Sequence, residues 1–184
     1  MAFAIWITGL PGSGKSTIAK ELVKILNKNK IKAQILRLDK IRKKYVKKPK
    51  YSDKERDFVY RKFTDEGIKL IKKNNIIYDA TAHKKKYRDY ARKKIKNFIE
   101  VYLKCPLNVC IKRESKRKAG LVIANMYKKA LERKKSKKKY PKLGQVIGVD
   151  VPYEINKKAE IIINSDKIKP KQAANKIYKK IRCL

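Results

Sequence analysis

One histidine and three cysteines are all that this chain offers to the commonest metal and nucleophile chemistries. A lone His83 builds neither a histidine metal cluster nor a Ser-His-Asp triad. Cys105, Cys110 and Cys183 lack metal-ligand spacing, and an odd count argues against a disulfide framework. Packing residues or free thiols are their expected roles. No apolar run approaches the roughly 20 residues of a membrane span, so no membrane partner is expected. The opening MAFAIWITGL has no basic leader and runs directly into a glycine loop, unlike a signal peptide, so a cytoplasmic location is expected.

Acids are scarce too: 16 Asp and Glu stand against 53 Lys and Arg, a net charge of +37. Such a charge attracts polyanions, from nucleic acid to nucleotides and small phosphate or sulfate esters. The lysines run along the whole chain rather than in one tail, as a lysine-rich bias of thermophile type would place them. No RNA-reading motif or aromatic platform accompanies them. Nucleic-acid binding is therefore the less favoured explanation.

What is present is a chain of 184 residues, 42% of them apolar, enough for one domain with an ordinary core. FAIWIT (3–8), KAQILRL (32–38), NIIYDA (75–80), NFIEVYLKC (97–105) and EIIINS (160–165) read as strands. A helical period follows Lys15, with Ile18, Leu22, Ile25 and Leu26 on one face. Helices are also expected over Asp53 to Lys73, after Pro106 and after Pro170. Alternating strands and helices predict an α/β fold: a parallel five-stranded sheet with helices on both faces, in three layers. The basic stretch of about 115–153, broken by Gly120, Pro141, Gly144 and Gly148, is expected to be a lid or excursion of the same 1–184 domain.

GLPGSGKST, from Gly9 to Thr17, fits G-x-x-x-x-G-K-[ST] and lies between a predicted strand and helix, as a P-loop requires. Gly9, Gly12 and Gly14 let the backbone curl through Leu10, Pro11 and Ser13 so that several N–H groups face one phosphate. Lys15 would reach the β- and γ-phosphates of ATP, and Ser16 would offer its hydroxyl to Mg²⁺, with Thr17 opening the helix whose dipole favours the anion. The chain has no N-K-x-D guanine reader, which argues against a switch GTPase. A small P-loop kinase with an acceptor pocket and a basic lid fits better.

The acceptor side should be ILRLDKIRKKY (35–45) and YSDKER (51–56), across the crevice from the loop. Here the sequence resembles the adenylylsulfate kinases, P-loop enzymes that phosphorylate the ribose 3′-hydroxyl of adenosine 5′-phosphosulfate with ATP and Mg²⁺. LDKIR resembles the end of the family's D-G-D-N-V-R, YSDKER its F-S-x-x-D-R, and FIEVYLKCPLNVCIKRE (98–114) its F-I-E-V-Y-x-x-x-P-L-x-V-C-x-x-R-D. MYKKA (126–130) and GVDVPYE (148–154) resemble L-Y-K-K-A of the lid and G-I-D-x-P-Y-E. The resemblance implies a P-loop NTPase fold and Arg113 at a position contacting ATP. It implies Arg42, Tyr51 and Arg56 on the sulfonucleotide, and Lys128 and Lys129 as lid clamps on phosphates. Three departures stand out: Arg37 replaces an acid, Val59 replaces an Asn that contacts substrate, and QVIG (145–148) lacks the stacking Phe of F-T-G.

Asp39 is the expected general base, a carboxylate among cations that takes the proton of the attacking hydroxyl. Most of the rate should come from positioning and from charge stabilisation by Lys15 and Mg²⁺. Asp79, at the end of the third strand, is expected to hold a water of the Mg²⁺ shell in place of the acid lost at Arg37. The expected activity is phosphorylation of adenosine 5′-phosphosulfate. The alternatives are a kinase for another small-molecule or RNA-linked hydroxyl and, from a different class, a non-catalytic nucleic-acid-binding protein. A homodimer is left open.

Overall fold

A computed structural model describes residues 2–116, 123–136, 138–141 and 143–183. Its strands are β1 (Ala4–Thr8), β2 (Ala33–Arg37), β3 (Asn75–Asp79), β4 (Phe98–Lys104) and β5 (Ile161–Asn164). All pair in parallel, in the order β2-β3-β1-β4-β5, so the strand leading into the glycine loop is central. The helices are α1 (Lys15–Lys28), α2 (Leu38–Tyr45), α3 (Asp53–Leu70), α4 (Lys85–Lys94), α5 (Leu107–Ser115), α6 (Met126–Ser136) and α7 (Pro170–Ile181). This is the expected three-layer P-loop fold.

Strand alternation decides which residues meet which layer. Ile5 and Ile7 of β1 pack with Leu22 and Leu26 of α1 and with Ala174 and Ile177 of α7. Ala4 and Trp6 face the other way, toward Val59 and Phe63 of α3 and Ala91 of α4. Trp6 stacks on Tyr78 at 4.8 Å and meets Phe63 edge-on at 5.4 Å, arrangements that suit the ring quadrupoles. The close seat of α3 on β3 requires Gly67, where a Cβ would overlap the Tyr78 hydroxyl.

Two boundaries differ from expectation. Strand β2 stops at Arg37, which places Asp39 in the first turn of α2 rather than at a strand end. Helix α4 occupies a stretch to which the sequence assigned no element, because KKYRDYARKK has almost no apolar face. Its anchor is ionic. Arg88 is fully buried and donates from Nε to Glu100 at 2.8 Å and from Nη2 to the Glu154 carbonyl at 2.6 Å. Asn156 Nδ2 adds a hydrogen bond to Glu100 at 2.8 Å, so the buried charge is well compensated.

The basic segment is less of an excursion than its charge suggests. Helix α6 buries Tyr127 and Ala130 against Cys110 of α5 and against Leu143 and Val146. Burial pushes the Cys110 thiol well up, as befits a packing residue. Of the stretch 115–153 expected to form a lid, residues 117–122, 137 and 142 lie outside the described residues. Among the described residues no helix is long and apolar enough to cross a membrane.

Candidate active site

Because β2, β3 and β1 are parallel neighbours, their C-terminal ends open on one side of the sheet. Register puts Asp79 beside both Ile7 and Arg37. The segments leaving these strands enclose a cleft of about 580 Å³. Pro11, Lys15, Ser16 and Thr17 line one side of it; Asp39, Arg42, Tyr51 and Arg56 line another, with Asp79 on the floor between them.

The glycine loop adopts the conformation its sequence demands. Gly9, Gly12 and Gly14 have φ of 141°, 86° and 98°, and a Cβ at Gly12 would overlap the Cys110 carbonyl of α5. Gly14 is the N-cap of α1, so the helix N-terminus opens onto the cleft with no acidic residue in its first turn. Lys15 is buried, its Nζ donating to the carbonyls of Gly9 (3.0 Å) and Leu10 (2.9 Å). Those contacts hold the ammonium inside the curl. Tyr127 of α6 donates to the Pro11 carbonyl at 2.9 Å and Leu10 packs on the same cluster, tying α6 to the glycine loop.

Asp39 faces Arg37, whose Nη2 is 4.0 Å away, while Arg37 Nε lies 3.7 Å from Asp79. One guanidinium thus spans two carboxylates. The Asp39 side chain is 38% exposed, and its partial burial raises its proton affinity above that of a solvated carboxylate; Arg37, Lys15 and Arg42 pull it down, and Asp79 pushes it up. The sequence reading stressed the cations; in the structure burial outweighs them, which makes Asp39 a stronger base than a solvated acid.

The wall formed by Arg42, Tyr51 and Arg56, expected to hold the acceptor, is more closely built than the motifs alone indicate. Arg42, almost fully buried, pairs with Glu55 and lies 4.8 Å from the centre of the Tyr51 ring. Tyr51 itself has φ of 56°, and a Cβ on Gly144 would come within 2.5 Å of it, so the ring is wedged between Arg42 and the lid loop. Arg56 is 3% exposed; Nη2 donates to the Gln145 carbonyl at 2.6 Å, while Nη1 has no partner among the described residues. Arg113 stands behind the glycine loop near Gly14, donating to the Ser165 carbonyl at 3.1 Å, and is not part of the cleft lining.

Lys128 and Lys129 are not brought to the cleft. Tyr127 and Ala130 form the inner face of α6, which turns Lys128 outward, 72% exposed and 4.0 Å from Glu132. Sequence reasoning also missed four lining or supporting residues: Glu55, Tyr60, His83 and Glu114. Ser52 and Glu55 fit S-x-x-E, a capping signature, and Ser52 Oγ accepts from the Glu55 amide at 3.3 Å. Glu114 accepts from the amides of Met126 (3.0 Å) and Tyr127 (3.4 Å), and so caps α6. No spacing rule would have revealed that.

The sequence model of the adenylylsulphate kinase family matches residues 1–164. The chain belongs to the adenylylsulphate kinase family. A probable adenylyl-sulfate kinase of Archaeoglobus fulgidus is 32% identical over 169 residues, covering 91% of this chain and 98% of that protein. An adenylyl-sulfate kinase of Clostridium kluyveri is 34% identical over 183 residues, 97% of this chain and 83% of the other. The fold matches an APS kinase of Mycobacterium tuberculosis in complex with AMPPNP and APS, with a TM-score of 0.82, 24% identity and 98% of each chain covered. Within the adenylylsulphate kinase family, a family of ATP-dependent kinases, this chain's departures fall into two groups. Val59 is fully buried in the core, whereas Arg37, Gln145, Val146 and Ile147 line the cleft itself.

Proposed function

We propose that the chain transfers the γ-phosphoryl group of ATP to the 3′-hydroxyl of adenosine 5′-phosphosulfate. The observation that carries this reading is the convergence, in one cleft, of a P-loop with buried Lys15, a base of raised proton affinity in Asp39 and two buried arginines, Arg42 and Arg56. Gly9 to Thr17 bind the ATP phosphates, with Arg113, which lies near Gly14, as a further contact to ATP. Arg42, Tyr51 and Arg56 hold the anionic acceptor, since guanidinium groups present forked donors to tetrahedral anions. Asp39 takes the hydroxyl proton as the oxygen bonds to phosphorus and ADP departs. Lys128 and Lys129 take part only if lid closure carries them inward.

The donor set suits Mg²⁺ as the nucleotide's companion. Among the described residues no cluster of three acidic, histidine or cysteine side chains forms an all-protein cage. Mg²⁺ is held characteristically by phosphates and waters with few protein ligands. Ser16 would supply the hydroxyl ligand and Asp79 would accept from a coordinated water; the ion would neutralise charge on the phosphates. A single kinase domain over 1–184 with its lid at 115–153, a cytoplasmic location and a place in sulfate assimilation belong to the same proposal.

ADP release coupled to NADH oxidation provides the test. With Mg²⁺-ATP, adenosine 5′-phosphosulfate should stimulate release, and Lys15→Ala or Asp39→Asn should lower it by about a hundredfold or more. Stimulation by another hydroxyl compound, with none from adenosine 5′-phosphosulfate, would overturn the acceptor assignment and leave the kinase.

A further inference from the structure

The chain's one histidine is buried on the wall of this cleft. His83 is 2% exposed, lines the cleft beside Arg56 and Tyr60, and neither ring nitrogen has a hydrogen-bond partner among the described residues. Arg56 Nη1, on the same wall, is buried and unpartnered as well. Buried polar atoms are rarely left without partners, and such a cluster calls for a bound group.

The backbone that aims His83 is held on both sides. Ala82 has φ of 44°, a left-handed conformation unfavourable for a residue with a Cβ. Its amide donates to Tyr60 Oη at 2.8 Å, and its carbonyl accepts from the buried Arg88 guanidinium. The His83 carbonyl accepts from the Glu154 amide at 2.7 Å, and its ring tilts against Tyr87 with centroids 5.7 Å apart. Strain retained beside a cleft and fixed from two directions is the usual mark of a positioned side chain.

We propose that His83 is an acceptor-binding residue which, with Arg56, forms a two-donor seat for an anionic group of the acceptor. The inference rests on the proposed acceptor being a phosphate or sulfate ester. Around His83 stand Arg56 and Asp53 on α3, Lys84 in its own loop, Glu154 opposite and Tyr87 on α4. Burial first, then Arg56 and Lys84, depress the imidazole to about 4, so the free protein presents a neutral ring with one N–H to donate. An anion seated there offsets the neighbouring cations and raises that value. Linkage then requires proton uptake on binding, and acceptor affinity that increases as pH falls through the bound-state value. A ring serving only as packing would behave oppositely, because a ligand that merely covers it deepens its desolvation.

A single histidine gives a single imidazole signal, so ¹³C-histidine-labelled protein can be titrated by NMR without assignment. Adenosine 5′-phosphosulfate, adenosine 5′-monophosphate and inorganic sulfate are added in turn, without ATP. The expected result is an upward shift of the titration midpoint with the sulfonucleotide. His83→Ala should weaken its binding about ten- to a hundredfold with kcat changed less, and His83→Gln, which keeps an N–H donor, should recover part of the loss. Turnover of adenosine 5′-phosphosulfate with an unmoved or lowered midpoint would overturn the seat and leave the function. A raised midpoint without turnover would keep the seat and overturn the function. Neither turnover nor a shift with any of the three ligands would remove both.

Discussion

Glu55→Ala would leave the Arg42 guanidinium inside the protein without its carboxylate. The two side chains are only 9% and 12% exposed, and Glu55 also accepts from the backbone amides of Lys50 at 2.6 Å and Tyr51 at 3.2 Å. Removing one partner of a buried pair destabilises by about 3–5 kcal/mol, chiefly because the surviving charge stays desolvated. At roughly 2–4 °C per kcal/mol for a chain of this size, the melting temperature should drop by about 6–20 °C. The low end is expected, since Arg42 borders an open cleft that lets water approach. Differential scanning calorimetry at neutral pH measures the drop. Replacing both members, Arg42→Met with Glu55→Ala, removes both charges and should restore at least half of the lost stability while acceptor binding stays lost. The reasoning fails if the single variant melts within about 2 °C of the parent, or if the double variant is no more stable than the single one.

Two further predictions concern Asp39 inside the cleft and Lys128 outside it. Asp39→Asn, for all its expected loss of activity, should melt above the parent at neutral pH: partial burial raises the folded carboxyl's proton affinity, so its ionised form opposes folding. The advantage should shrink as pH falls through the raised value toward the ordinary carboxylate range, and a difference constant with pH would refute the assignment. Lys128→Ala, on the outer face of α6, should leave kcat/KM for both substrates within about twofold; a tenfold loss would mean that lid closure carries this lysine onto the phosphates.

Much of this architecture was legible because its signals are local. Apolar runs followed by turn residues mark the strands, and the glycine loop carries its own geometry, so β1, the loop and α1 were read to within a residue or two. Helix α4 was not legible, because Arg88 reads as surface until Glu100 and Asn156 are known to meet it in the core. The acceptor wall was half legible. Asp39, Arg42, Tyr51 and Arg56 were found by motif and do share the cleft, whereas Glu55 carried no role of its own in the motif and His83 was weighed only as a lone histidine, too few for a metal cluster or a triad. His83 had one usable signal, its place four residues beyond Asp79 at the site end of β3. The direction in which α6 turns its lysines depends on which of its sides packs on α5, and the basic run alone does not encode that.

The hydrogen bond from Arg56 to the Gln145 carbonyl, and the seating of the Tyr51 ring against Gly144, join the 143–148 loop to the wall proposed to hold the acceptor. These two regions lie about ninety positions apart in the chain, 89 for the hydrogen-bonded pair, yet neither can drift alone. A bulkier residue at 144 displaces Tyr51, and a shifted backbone at 145 re-aims Arg56. Divergence toward a new acceptor in this lineage would therefore proceed by paired changes across the two segments, with single changes on either side filtered out first.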